Sequence, residues 1–174
     1  MNAKPESPIE ESFLDEFRKH AFPDYVLHPQ KEFITRVGLL RPDFVLPFGD
    51  YLMGFECDGS DYHDIFRDEV RDAILLGDGH LGTIYRFPGS TLAYAPELCI
   101  SFIMQCDPEL FPQRSHEVVR RKCEIADYRQ TPIFHRRSAR RSHAKREHWR
   151  YIYSQFVAMG LTGIDQYSPG PITI

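Results

Sequence analysis

Apolar residues recur along this chain with two different spacings, and the changes between them mark the elements. In "SPIEESFLDEF", residues 7–17, Phe13, Leu14 and Phe17 lie three, four and seven positions after Glu10. That spacing predicts a helix with Glu10 at the border of its apolar face and Glu11, Asp15 and Glu16 further round. Ser7 suits the N-cap, Pro8 the first turn, and Glu10 completes a capping box. A short extended stretch, "YVLHPQKEFI" (25–34), is interrupted by Pro29. The alternation then becomes two-fold over "RPDFVLPFGDYLMGFECDG" (41–59), which predicts a hairpin turning at Gly49-Asp50. In that register opposite positions sum to 99, so Phe44 faces Phe55 and Asp43 faces Glu56. Tyr51, Met53, Phe55 and Cys57 share one face, and Leu52, Gly54, Glu56 and Asp58 share the other. Pro47 points to an edge strand or a wider turn.

Helical spacing returns in "DIFRDEVRDAILL" (64–76), with Phe66, Val70, Ala73, Ile74 and Leu76 facing a core and "GDG" stopping the helix. "GTIYRFP" (82–88) is a strand, and "APELCISFIMQC" (95–106) is a helix with Pro96 in its first turn. This order predicts an α/β domain. Two further helices are expected over 114–129 and 135–157, with Trp149, Ile152, Tyr153 and Phe156 in the core.

Composition changes this picture little. The chain has 174 residues, 42% hydrophobic and 26% charged, enough for one domain with a core. It has no apolar run long enough for a membrane span and no apolar leader after the N-terminus. Its four cysteines lack C-x-x-C spacing and are expected as buried free thiols in a reducing cytoplasm. Charge is more informative. Residues 1–110 carry 9 Lys+Arg against 20 Asp+Glu, while residues 111–174 carry 12 against 5. That asymmetry suggests a basic surface beside an acidic site, or simply a solvated helix face. With no clean linker, one domain is expected, a core over 7–110 with a basic helical extension over 111–174 packed on it.

The acids concentrate at "FECDGSDYH" (55–63). Like charges opposite each other on a ladder are unfavourable, so Asp43 facing Glu56 calls for compensation. A hard divalent cation such as Mg²⁺ would supply it, with Asp58 on the same face and Glu10 brought from the first helix. Carboxylates around a metal beside a basic surface suit phosphodiester hydrolysis. Each residue also has a plainer role: Glu10 in the capping box, Asp58 with Gly59 in a turn, Asp43 paired to Arg41, and His63 on the surface or in the core.

Taken together, "SPIEESF", "PQ", "RPDF", "FECDGSDYH", "RDEVRDAILL" and "IYRF" resemble, in order, the motifs of the PD-(D/E)XK nuclease superfamily, nearest to its very-short-patch-repair-like branch. The resemblance spans residues 7 to 105. It implies a restriction-endonuclease-like mixed sheet flanked by helices. It also implies that Asp43 and Glu56 bind Mg²⁺ or Mn²⁺, that Glu10 lies near the metal, and that Gln30 and Lys31 pass the site. His63 stands where mismatch-nicking members carry a histidine. Asp58 stands where the superfamily usually has a lysine, so the cationic role falls to Lys31, His63, Arg67 or Arg71.

The expected activity is therefore metal-dependent endonucleolytic cleavage of DNA. Its catalytic set is Glu10, Asp43, Glu56, Asp58 and His63, and its metal ligands come from Asp43, Glu56, Asp58 and Glu10. Lys31, Arg67, Arg71, Arg136, Arg137, Arg140, Arg141 and Lys145 would meet the phosphate backbone. No organic cofactor and no membrane is expected, and cutting both strands would call for a homodimer. Two alternatives stand beside it: a catalytically inactive nuclease-like module that binds nucleic acid, and a protein-interaction domain whose basic tail meets an acidic partner.

Overall fold

A computed structural model describes residues 4–59, 65–125, 134–139 and 143–160. Among them a five-stranded sheet runs in the order β1-β4-β5-β6-β7. Its strands are β1 (His28–Pro29), β4 (Phe44–Phe48), β5 (Tyr51–Asp58), β6 (Thr83–Pro88) and β7 (His135–Ser138). A separate ribbon pairs β2 (Phe33–Thr35) with β3 (Gly38–Leu40). The helices are α1 (Pro8–His20), α2 (Ile65–Gly77), α3 (Gly89–Tyr94), α4 (Pro96–Cys106), α5 (Gln113–Ile125) and α6 (His143–Ala158). The chain is an α/β fold with a mixed sheet. None of the described helices is long and apolar enough to cross a membrane.

The hairpin has the expected register: Phe44 pairs with Phe55 and Phe48 with Tyr51. Gly49 takes a positive φ of 61° while Asp50 does not, the pattern of a II′ turn that matches strand twist. Pro47 is tolerated because β1 covers only Phe44 and Val45, so β4 is open on that side where Pro47 lies. β5 and β6 run parallel, which requires a crossover, and α2 lies between them in the chain.

The two sheet faces bury different helices. Phe44, Met53, Phe55 and Phe87 pack with Phe13 and Phe17 of α1 and with Ile100 and Ile103 of α4. The Phe13 ring centroid lies 5.7, 5.5 and 5.4 Å from those of Phe44, Phe55 and Phe87. On the other face Val45 and Ile84 pack with Val70 and Ile74 of α2 and with Phe156 of α6. Leu75 joins Val70, Ala73, Ile74 and Leu76 in being buried, because α6 closes over α2. The Phe66 side chain and residues 126–129 of the expected helix lie outside the described residues.

The helix expected over 135–157 begins only at His143; residues 135–138 are instead strand β7, antiparallel to β6. An Arg-rich stretch has good helix propensity, but here paired acids override it. Alternation on β7 sends its arginines to opposite faces. Arg136 donates from Nε to the Tyr85 hydroxyl (2.9 Å) and from Nη2 to buried Asp107 (3.1 Å). Arg137 donates to Asp72 and, at 3.2 Å, to Glu69. The main sheet thus continues into the basic C-terminal third. Helix α3 has no counterpart among the elements expected from the pattern. All four cysteines are free; Cys57 and Cys99 are buried, whereas Cys106 and Cys123 are half-buried.

Candidate metal and phosphate site

At the end of the hairpin Asp43 precedes β4, just outside the ladder. Its Oδ2 accepts the Cys57 N–H at 2.6 Å, so a carboxylate closes the ladder where a backbone carbonyl would otherwise stand. Its backbone carbonyl accepts the Gln30 N–H at 2.9 Å. Burial pushes the Asp43 carboxyl up to about 8; the Glu56 and Glu10 charges add to this, and the Cys57 N–H and Arg71 oppose it. Glu56 is buried, with its pKa raised by that burial against the pull of Arg71 and Arg86. Like-charged carboxylates taken out of water raise one another, as here.

Glu10 takes part in the capping expected at the start of α1. The Ser7 hydroxyl accepts the Glu10 N–H at 3.3 Å and caps α1. In return Glu10 Oε1 accepts the Ser7 hydroxyl at 2.8 Å, and Oε2 accepts the Glu6 N–H at 2.9 Å and the Gln30 side-chain amide at 3.1 Å. Three donors therefore hold a buried carboxylate that also acts on Asp43.

Asp43, Glu56 and Asp58 line an open cleft of about 720 Å³ together with Arg67 and Arg71 from α2; exposed Tyr94 lies at the same cleft. Arg71 Nη2 lies 3.4 Å from Glu56 Oε1 and also donates to the Arg41 carbonyl at 3.2 Å. Arg41 itself pairs with Glu6 at 3.2 Å rather than with Asp43. Asp58 shares the Glu56 side of β5, as expected, and accepts from Arg86 Nη1 at 2.9 Å.

Arg86 is the site residue that pattern reasoning missed. It pairs with Glu56 across the parallel β5–β6 ladder. It clasps buried Asp72 through Nε at 3.0 Å and Nη2 at 2.8 Å, and its Nη2 lies 4.0 Å from Glu56. Burial works against its charge, but Asp72, Glu56 and Asp58 outweigh that and keep it firmly protonated. One sequence signal could have revealed it: a single charge inside the apolar run of "TIYRF" must be paired if the strand is central.

Other expected residues fall elsewhere. Lys31 is exposed, its Nζ 5.8 Å over the Phe33 ring, and is not among the cleft-lining residues. Arg136 and Arg137 are engaged internally, as described above. Lys145 is exposed on α6. His63, Arg140 and Arg141 lie outside the described residues. Glu16, expected further round from the apolar face, is buried. There it meets Lys19, His20 and Lys122 at 3.0, 3.1 and 3.0 Å.

Among the described residues no group of three His, Cys, Asp or Glu side chains is placed to cage a metal by itself. Mg²⁺ needs no such cage: one or two carboxylates, with waters and substrate phosphates, are its usual shell. Asp43 and Glu56 offer hard oxygen donors of that kind on an open cleft, so the residues present fit the ion. The Cys57 thiol, pushed well up by burial and by the nearby acids, is not a competing soft ligand at neutral pH. No protein-family model, curated protein or solved structure matches this chain.

Proposed function

We propose that this protein is a Mg²⁺- or Mn²⁺-dependent endonuclease hydrolysing phosphodiester bonds in DNA, on a restriction-endonuclease-like core. The observation that carries this reading is the pairing of half-buried Asp43 with buried Glu56 on a cleft that also presents Arg67 and Arg71. A solvated face would leave acids ionised in water. Here burial and mutual repulsion hold up the Asp43 carboxyl, and a cation between the two acids would relieve that repulsion. Further support comes from the order hairpin, crossover helix, parallel strand, which puts both acids at one end of the central strands.

Asp43 and Glu56 would hold the metal, and Glu10, already held by three donors, would sit behind them. A bound Mg²⁺ would polarise a phosphoryl oxygen and neutralise developing charge. Arg67 and Arg71 would meet the scissile phosphate from the α2 side, with Arg71 also steadying Glu56. Arg86 would fix Asp58 and Glu56 from within the sheet. The phosphate-binding surface in this reading is the α2 wall of the cleft; Arg136 and Arg137 are left to the fold.

A second reading, a non-catalytic nucleic-acid-binding module, is favoured by one feature: among the described residues no lysine lines the cleft, and Asp58 is paired to Arg86. Supercoiled plasmid incubated with Mg²⁺, Mn²⁺ or EDTA separates the two. Endonuclease action predicts metal-dependent nicking that is lost in Asp43→Ala and in Glu56→Ala. Intact plasmid with either metal, together with intact single-stranded and branched DNA, would leave the binding module.

A further inference from the structure

Gln30 lies between β1 and β2, outside the acidic cluster, yet it touches two of the cluster's members. Its backbone N–H donates to the Asp43 carbonyl at 2.9 Å, and its side-chain amide donates to Glu10 Oε2 at 3.1 Å. It does so at a φ of 55°, the only positive φ of a non-glycine residue among those described. The left-handed region is disfavoured for a residue with a long side chain, and such conformations persist only where the surroundings hold them. The two contacts just named are what the structure provides for that purpose.

The consequence is a clamp. Glu10 belongs to α1 and Asp43 to the entry of β4, and their charges repel. Cys57 N–H holds the Asp43 carboxylate and Ser7 and Glu6 hold that of Glu10, each within its own neighbourhood, so what the two acids need is a link from α1 to the segment that carries Asp43. Gln30 joins them: a neutral donor on Glu10, and a backbone bond holding the strand that carries Asp43. We infer that Gln30 is a positioning residue that sets Glu10 and Asp43 relative to each other for metal binding. This inference rests on the metal-site reading given above. Gln30 touches neither substrate nor metal in this role; it acts through the two acids, as outer partners do in metal sites generally.

Gln30→Gly isolates the side-chain bond, since glycine keeps the backbone N–H and adopts the positive φ without strain. Mn²⁺ binding by titration calorimetry and thermal melting of the DNA-free protein are measured alongside plasmid nicking. The expected result is Mn²⁺ affinity weakened about ten-fold, the range found for outer-sphere partners, with a melting temperature equal to or above wild type. Gln30→Ala should weaken Mn²⁺ binding similarly and also lower the melting temperature, because alanine keeps the φ strain and loses the amide that holds it.

A Gln30→Gly protein that binds Mn²⁺ as tightly as wild type would overturn the clamp. So would a wild-type protein that binds no Mn²⁺, since there would be nothing to position for. A wild type that binds Mn²⁺ through Asp43 and Glu56 but cleaves no DNA would remove the nuclease reading alone. In that case the Gln30→Gly loss of affinity would still support the clamp.

Discussion

Replacing Asp43 by Asn should stabilise the metal-free protein at alkaline pH while removing any metal-dependent activity. The unfolded Asp43 carboxyl titrates near 3.8, and the folded one is pushed up to about 8. Between those values the native state holds a proton that the unfolded state has released. The stability tied to this group is therefore fully present below pH 4, falls as pH rises through about 8, and is then gone. At 1.36 kcal/mol per pH unit the ceiling is about 6 kcal/mol. Asp43 is half-buried on an open cleft, so solvent screening reduces the effect to about 1–3 kcal/mol. For a chain of this length that is roughly 3–10 °C in melting temperature.

The assay is thermal melting in EDTA at pH 5 and pH 9. Asp43→Asn should melt only slightly above wild type at pH 5, where the native Asp43 is neutral and the unfolded one has just ionised, and the gap should be several-fold larger at pH 9. Its Oδ1 can still accept the Cys57 N–H, so the ladder end survives. Equal melting at both pH values would show that Asp43 is not desolvated and repelled as argued. A variant less stable than wild type at pH 9 would mean that the charged form is already compensated, and the case for a missing cation would fall.

Glu16 has the opposite sign. Burial works against its charge, but bonds from Lys19, Lys122 and His20 bring it down from 4.5 to about 2. Its stabilisation is present above 4.5 and lost as pH falls through about 2, so Glu16→Gln should cost about 1–3 kcal/mol in urea melts at pH 7 and little near pH 2. Arg86→Lys cannot reproduce the two-pronged grip on Asp72, and it should lose about 2–4 kcal/mol by chemical denaturation; a change under 1 kcal/mol would mean the buried pair is replaceable. A Cβ on Gly89 would meet the Asp58 carbonyl oxygen at 2.8 Å and the Gly59 Cα at 3.2 Å. Gly89→Ala should therefore lower stability by about 1–3 kcal/mol and displace the end of β5, read as lost nicking and shifted amide resonances around Asp58.

Much of the site was legible from order along the chain. Ser7, Pro8 and Glu10 announce the start of α1 because capping chemistry is satisfied within four residues. The Gly49-Asp50 turn sets the register that brings Asp43 to β5, because a two-residue connection leaves no freedom in pairing. Spacing also places Arg67 and Arg71 on one face of α2. In each case the partner lies nearby, so local geometry decides.

What tertiary structure decided depends on distant partners. Arg86 meets Glu56 only because β6 lies parallel to β5 in one register, and its grip on Asp72 needs the crossover helix seated on that face. An arginine-rich run became strand β7 because Asp107, Tyr85 and Asp72 wait on either side of β6. Glu16 finds Lys122 only because α5 returns to it from 106 positions further on, and Gln30 holds its disfavoured φ between contacts from Glu10 of α1 and from Asp43, just before β4. Period and turn chemistry name the element a residue belongs to. A side chain's charge does not name its partner, and where burial makes that partner obligatory, only the packed chain identifies it.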